Sequence, residues 1–309
     1  MDMTAMSATT EINSNSGMQK TQWASAISET QINQLNFAQQ KNQVSPAERN
    51  SYFREEISST QNEAFSSIFA GTPVLEVSDV DFGYVRSHRV LNDVNLTVPE
   101  ATITGLIGPN GSGKTTLINL ISDVYDLQSG KITVLGKPST SCAGKIGIMH
   151  VGGNNDVPTF LTGMEYIMTM GRLYGVNIRR SRVRKLFARF GMAGAENRLI
   201  DSYSHGMKKK AQLCAAFLIR CPLTIVDETL NGIDIDAWYV CVEEFKSLRE
   251  DGLSVLLCTH DFTLLQQVSD DIVLLHNGHM DKPLVTTDVE RLFGGIAEWY
   301  QMQTLQEAS

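Results

Sequence analysis

From Val74 onward, apolar positions fall in short runs whose period changes along the chain. Leu75-Glu-Val-Ser-Asp-Val-Asp-Phe82 alternates apolar and polar residues, which predicts a strand with one wet face, and Val90-Leu-Asn-Asp-Val-Asn-Leu-Thr-Val98 repeats the pattern. Ile103-Thr-Gly-Leu-Ile107 is a compact apolar run, the mark of a strand buried on both faces, and Thr116-Leu-Ile-Asn-Leu-Ile121 opens a helix. Lys131–Leu135 and Ile146–Met149 read as further strands. Residues of roughly 162–222 carry helical periodicity with few β-branched runs. Strand and helix then alternate through Leu223–Asp227, Ala237–Leu248, Ser254–Thr259, Phe262–Val268 and Asp271–His276. This texture predicts an α/β domain over 73–309, with a helical subdomain at roughly 157–222.

Residues 1–72 have a different composition, rich in Ser, Thr, Gln, Asn and Ala with few clustered aliphatics. Such a segment buries too little apolar surface to offset the entropy of ordering, so it reads as a largely disordered extension. A helix over 45–70 is the exception: Ser45-Pro-Ala-Glu48 forms a capping box with Pro46 at the first helical position, and Tyr52, Phe53, Ile57, Phe65, Ile68 and Phe69 follow. Both a solvated tether and an amphipathic arm fit this pattern.

The polar interruption after Ile107 carries the chemistry. Gly108-Pro109-Asn110-Gly111-Ser112-Gly113-Lys114-Thr115-Thr116 is a full GxxxxGK[ST] loop at a strand-to-helix turn. Its glycines free the backbone to turn successive N–H groups toward phosphate oxygens, at the positive end of a helix. Lys114 is placed to reach the β- and γ-phosphates, and the Thr115 hydroxyl to ligate Mg²⁺. Leu223-Thr-Ile-Val-Asp227-Glu228 is an apolar strand ending in two carboxylates. Asp227 suits Mg²⁺ through its water shell, and Glu228 suits the orientation and deprotonation of an attacking water.

Tyr203-Ser-His-Gly-Met207, opening a helix from Lys208 to Ile219, completes a set of ordered motifs that resembles the ATP-binding-cassette (ABC) family over about 74–280. In that resemblance Gly108–Thr116 and Leu223–Glu228 are the two Walker motifs, Tyr84 is the aromatic that stacks on adenine, Asn231-Gly-Ile-Asp234 is the D-loop, and Thr259-His260-Asp261 is the switch-histidine loop. The resemblance implies a P-loop NTPase with a RecA-like core, an antiparallel β subdomain and an α-helical subdomain. It also implies ATP and Mg²⁺, with two cassettes, in a homodimer or heterodimer, pressing each ATP between one chain's Walker motifs and the other's signature helix. Ser204 and Gly206 would then face a γ-phosphate, Asp234 would line the same interface, and His260 would contact the γ-phosphate or the water.

Three features depart from the family pattern. His205 and Met207 occupy two of the three positions, glycine, glycine and glutamine, that follow the signature serine. The Q-loop glutamine is missing: its position falls on Val151 or Gly153, with Asn154 or Asn155 as substitutes. Thr229 stands where the family has a proline after the catalytic glutamate, a change without evident chemical consequence in the sequence.

Charge and composition then narrow the partners. A formal net charge of −8 argues against a broad nucleic-acid footprint, so no nucleic acid is expected. Lys208–Lys210 and the Arg179–Arg184 cluster read as solvated helix faces. No run approaches the roughly eighteen apolar residues of a spanning helix, and the N-terminus has no signal-peptide pattern. Five scattered cysteines, with Cys214 and Cys221 placed on one helix face, read as buried reduced thiols. The expected function is the ATP-hydrolysing motor of an ABC transporter, acting on a separate membrane permease and held through it at the cytoplasmic face of the membrane. Leu161-Thr-Gly and Arg172-Leu-Tyr-Gly175, with Gly206-Met-Lys-Lys-Lys210, resemble the cassettes of two-component exporters. The alternative is a soluble ABC-type ATPase with a non-transport role in ribosome, nucleic-acid or nucleotide-sensing work.

Overall fold

The computed structural model describes residues 73–85, 88–153 and 156–307. The expected extension, its helix over 45–70, and Asn154 and Asn155 lie outside the described residues. Two sheets organise the described residues. In the first, β1 (Leu75–Phe82) pairs antiparallel with β2 (Leu91–Val98) on one side and β4 (Lys131–Val134) on the other, with β5 (Lys137–Pro138) beyond. Leu75, Val77, Val80 and Phe82 are buried together with Leu91, Val94, Leu96 and Val98, as the alternation requires. The register slips twice along β1, beside Asp79 at φ 51°, so the paired strands bend.

The second sheet has a parallel core in the order β9 (Asp271–His276), β3 (Ile103–Ile107), β8 (Ser254–Cys258), β7 (Leu223–Asp227) and β6 (Ile148–Val151). The short strands β10 (His279–Met280) and β11 (Leu284–Val285) add antiparallel to β9. Every residue of β3, β7 and β8 is buried, which explains their unbroken apolar runs. Successive side chains leave on opposite faces and feed two cores. Ile103, Ile107, Val226, Val255, Leu257 and Ile272 meet the helices, whereas Leu106, Ile225, Leu256, Val273 and Leu275 meet the antiparallel sheet. Helix α1 (Lys114–Ile121) belongs to the second core through Leu117, Ile118, Leu120 and Ile121. The helix that follows the glycine loop is thus held between the two sheets.

After the short α2 (Cys142–Ile146), three helices fill the segment expected to be helical: α3 (Gly163–Leu173), α4 (Arg180–Arg189) and α5 (His205–Ile219). Thr162 and Glu165 close a reciprocal capping box on α3. Then come α6 (Ile235–Glu250), α7 (Phe262–Val268), α8 (Thr286–Phe293) and α9 (Ile296–Glu307). Among the described residues no helix is long and apolar enough to cross a membrane. Cys214, Cys221, Cys241 and Cys258 are buried free thiols, and Cys142 is an exposed one. Cys221 lies past the end of α5 and shares no helix face with Cys214, because Arg220 ends the helix in a left-handed turn at φ 57°.

On β6, the His150 Nε2 atom is buried without a hydrogen-bond partner, and burial pushes the imidazole down to about 4. The folded state therefore holds the ring neutral, while the unfolded chain protonates it near the ordinary value of 6.5. Stability from this group is complete above that value and is lost as pH falls toward 4, by on the order of 3 kcal/mol. Denaturant titrations at about pH 7 and about pH 4.5 should show a drop that His150→Leu reduces. An equal drop in both proteins would contradict the neutral buried ring.

Candidate functional site

The loop 108–113 is wedged between the sheets, and two glycines make that possible. A Cβ on Gly108 (φ 156°) would lie 2.0 Å from the Leu275 carbonyl oxygen on β9. One on Gly113 (φ 107°) would lie 2.7 Å from Leu91 Cδ2 on β2. Gly113 also begins α1 with no side-chain cap and no acidic residue in the first turn, so the positive helix end is uncompensated by that turn's own groups. Lys114 is buried, and its Nζ donates to Gly108 O at 2.8 Å and Pro109 O at 3.0 Å, folding the ammonium over the loop. Ser112 Oγ is buried without a partner.

Asp227 stands at the tip of β7, beside the loop. Burial raises its carboxyl above the usual range, the Cys258 thiol lowers it, the neighbouring Glu228 charge raises it, and the Thr115 hydroxyl and Lys114 lower it. Cys258 is its register partner on β8, which places both side chains on one sheet face. Asp227 Oδ1 is buried with no partner. Thr115 and Asp227, distant in the sequence, lie close enough here for the Thr115 hydroxyl to act on the Asp227 carboxyl.

Glu228 adopts φ 53°, a left-handed conformation that costs a non-glycine residue on the order of 1 kcal/mol. Its N–H donates to Cys258 O at 2.9 Å, and its carbonyl accepts from Asn231 N at 3.2 Å. That turn brings Glu228 Oε1 to 3.3 Å from His260 Nε2, both side chains being partly exposed. Asp261 is fixed from two sides: it caps α7 by accepting from Leu264 N, and Trp238 Nε1 on α6 donates to its Oδ2 at 2.8 Å. No motif marks Trp238; only the packing of α6 on α7 gives it a role.

Thr229 is fully buried, and its hydroxyl donates to Val151 O at 2.8 Å, with Asp227 O at 3.3 Å. The replacement of proline therefore does have a structural consequence, invisible without knowing that β6 lies beside β7. The segment after β6 closes on the same place: a Cβ on Gly153 would lie 3.1 Å from Asp227 O and 3.7 Å from Glu228 Cβ.

Tyr84 is 61% exposed; its hydroxyl and that of Thr116 lie 2.9 Å apart, and its ring meets Phe82 and Tyr125 edge-on at 5.3 and 5.8 Å. Tyr125 joins this aromatic group from beyond α1, which its place in the sequence does not reveal. Ser204 caps α5, accepting from Met207 N at 3.2 Å. Lys209 Nζ donates to Asn231 O at 2.6 Å, and Lys210, only 7% exposed, donates to Phe190 O at 3.0 Å and pairs with Asp234. These two lysines are not a solvated face: they clamp the start of α5 to the 231–234 loop. Asp234 caps α6 by accepting from Ala237 N, and its carboxyl is held low by Lys210 first and that N–H second. Ser204 and Gly206, at the start of α5, are thus gathered with the 231–234 loop that carries Asp234. Arg179, Arg180, Arg182 and Arg184 are exposed, as expected.

A parallel sheet whose central strand leads through a glycine loop into a buried helix, with an acidic strand tip beside it, defines a P-loop nucleoside-triphosphatase of the α/β class. Residues 91–231 match the family model described as ABC transporter. The uncharacterized ABC transporter ATP-binding protein YdbJ of Bacillus subtilis (strain 168) is 30% identical over 212 residues, spanning 67% of this chain and 68% of that protein. The daunorubicin/doxorubicin resistance ATP-binding protein DrrA of Streptomyces peucetius is 29% identical over 210 residues, 67% of this chain and 64% of that one. A solved structure titled as the ATP binding subunit of an ABC transporter superposes with a TM-score of 0.68 at 27% identity, covering 75% of this chain and 99% of that chain. The chain belongs to the ABC transporter family and is an ATP-binding, ATP-hydrolysing subunit whose hydrolysis is coupled to transport.

Proposed function

We propose that this chain is the motor of an exporter, working on a separate membrane permease and held through it at the cytoplasmic face of the membrane. Two cassettes, identical or not, close on ATP at facing surfaces and transmit that closure to the permease. The observation that carries this reading is the meeting of Lys114, Thr115, Asp227, Glu228 and His260 around one glycine loop, from segments far apart in the chain. Export is supported by the exporter-like segments near Leu161 and Arg172, and by the resistance relative.

The residues fit the triphosphate and its metal. Loop amides from Gly108 to Thr116, with Lys114, hold the phosphates; the two carbonyls that Lys114 now contacts release it to phosphate oxygen. The Thr115 hydroxyl and Asp227, whose buried Oδ1 lacks a partner, would hold Mg²⁺, Asp227 through the ion's water shell. When bound, that ion neutralises charge developing on the phosphates. Glu228 accepts the proton of the attacking water, and His260, 3.3 Å away, holds water or γ-phosphate in place. Ser204, Gly206 and Asp234 serve the facing cassette's ATP, as one group held together by the lysines at the start of α5.

Tyr84 stacks on the adenine, and its open ring is suited to that. Tyr84→Ala should weaken ATP binding by about 5–30-fold, the effect of removing one base–aromatic stack of about 1–2 kcal/mol. Saturated turnover should hardly change. A fluorescent-nucleotide titration reads the first and phosphate release the second; undiminished affinity would remove Tyr84 from the site.

The whole proposal is tested by isolating the full chain from membranes and from the soluble fraction in the presence of ATP. A membrane subunit should copurify, with ATP-dependent pairing of cassettes. Ribosome association instead, or no nucleotide-dependent association with turnover blocked, would overturn it.

A further inference from the structure

The geometry points to Thr229 as the positioning residue of Glu228, acting by tying the catalytic turn to the end of β6; this rests on the role proposed above for Glu228. The β6–β7 ladder ends at the pair Val151 and Val226, one residue before Asp227. Just beyond that last pair, the Thr229 hydroxyl reaches back to Val151 O at 2.8 Å. The side chain is wholly buried, so this bond is not exchanged for water. It closes a three-point hold on a turn that needs one. Glu228 sits at φ 53°, fixed at its N–H by Cys258 O, at its carbonyl by Asn231 N, and one residue on by Thr229.

A proline at this position restricts the preceding residue through its ring, inside the turn itself. Threonine leaves that backbone free and supplies the restraint from a neighbouring strand. The chemical difference matters because Val151 leads directly into Gly152 and Gly153, and Gly153 packs against Asp227 O and Glu228 Cβ. Movement of the segment after β6 therefore reaches Glu228 through one hydrogen bond and one backbone approach. In a chain without the Q-loop glutamine, this gives that segment a hold on the backbone turn that carries Glu228.

Thr229→Val keeps the branched shape and removes the donor. In steady-state hydrolysis of MgATP by the full chain, kcat should fall about 10-fold while KM stays within about twofold, as expected when a base is misplaced and the nucleotide's own binding groups are untouched. Thr229→Ser keeps the hydroxyl and should restore kcat. Placed in a Glu228→Gln background, Thr229→Val should leave the residual rate unchanged, because the side chain through which it acts is already disabled. Should Thr229→Val fail to fold, Thr229→Ala with the same serine comparison reads the same bond. Wild-type kcat in the donor-less variants, failure of serine to rescue, or a further fall in the Glu228→Gln background would each overturn the inference. Normal turnover in Glu228→Gln alone would instead remove the reading beneath it, and those two failures are told apart by which variant is silent.

Discussion

Glu228→Gln should bind ATP as tightly as the wild type, lose hydrolysis by about 10²–10⁴-fold, and accumulate as a nucleotide-bridged dimer. The substitution changes one group's basicity and almost nothing else. Glutamine has the same length, can occupy the same turn after β7, and can still bond His260, but its amide does not take a proton from water. The side chain is 38% exposed and its partner 39%, so changing this contact costs the fold little. The backbone bonds that hold the turn, to Cys258 O and from Asn231 N, do not involve the side chain. Binding and hydrolysis should therefore separate cleanly. Nucleotide titration reads the first, single-turnover phosphate release the second, and light scattering behind a sizing column the dimer. Unchanged turnover would remove Glu228 from its proposed role.

Lys114→Ala should act one step earlier, weakening ATP binding by about 10–100-fold, the usual consequence of deleting a hydrogen bond to a charged group in a buried setting. The residue is 5% exposed, and its ammonium now bonds two loop carbonyls, Gly108 O and Pro109 O. Binding exchanges those acceptors for phosphate oxygens while the charge stays over the loop. Arginine is not an equivalent replacement, because a planar fork does not match the place of a single amine between two carbonyls of a tight turn. Isothermal titration with ATP checks the loss, and an alanine variant with undiminished affinity would exclude Lys114 from the phosphate site. Lys114→Ala and Glu228→Gln should also differ in assembly, the first preventing the closed dimer and the second trapping it.

Much of the architecture was legible in local pattern. Leu75–Phe82 alternates because one face of β1 is wet, and Ile103–Ile107 does not because both faces of β3 are covered. The glycine loop was legible because each residue in it has its own steric or electrostatic task at a set spacing. Boundaries were less so: Ile146 ends a short helix rather than starting β6, and α8 and α9 lie beyond the last expected strand. Short apolar segments fit either state, and only their neighbours choose.

The lysine run shows where local pattern misleads. Consecutive cations on a helix suggest a solvated face, yet Lys209 and Lys210 are engaged by Asn231 and Asp234, residues from a separate loop. Thr229 and Trp238 are of the same kind, since a hydroxyl or an indole N–H carries no hint of its acceptor.

Residue types at short spacing were enough to specify the strand and helix periods, the glycine loop, and the acids and histidine proposed for the site. Three-dimensional packing was needed for the rest: that Asp227 meets Thr115, that Glu228 turns toward His260 in a left-handed bend, and that β6 is bonded to Thr229. These contacts join segments whose separation along the chain says nothing of their distance in space. The parallel strand order β9-β3-β8-β7-β6 is what makes them neighbours.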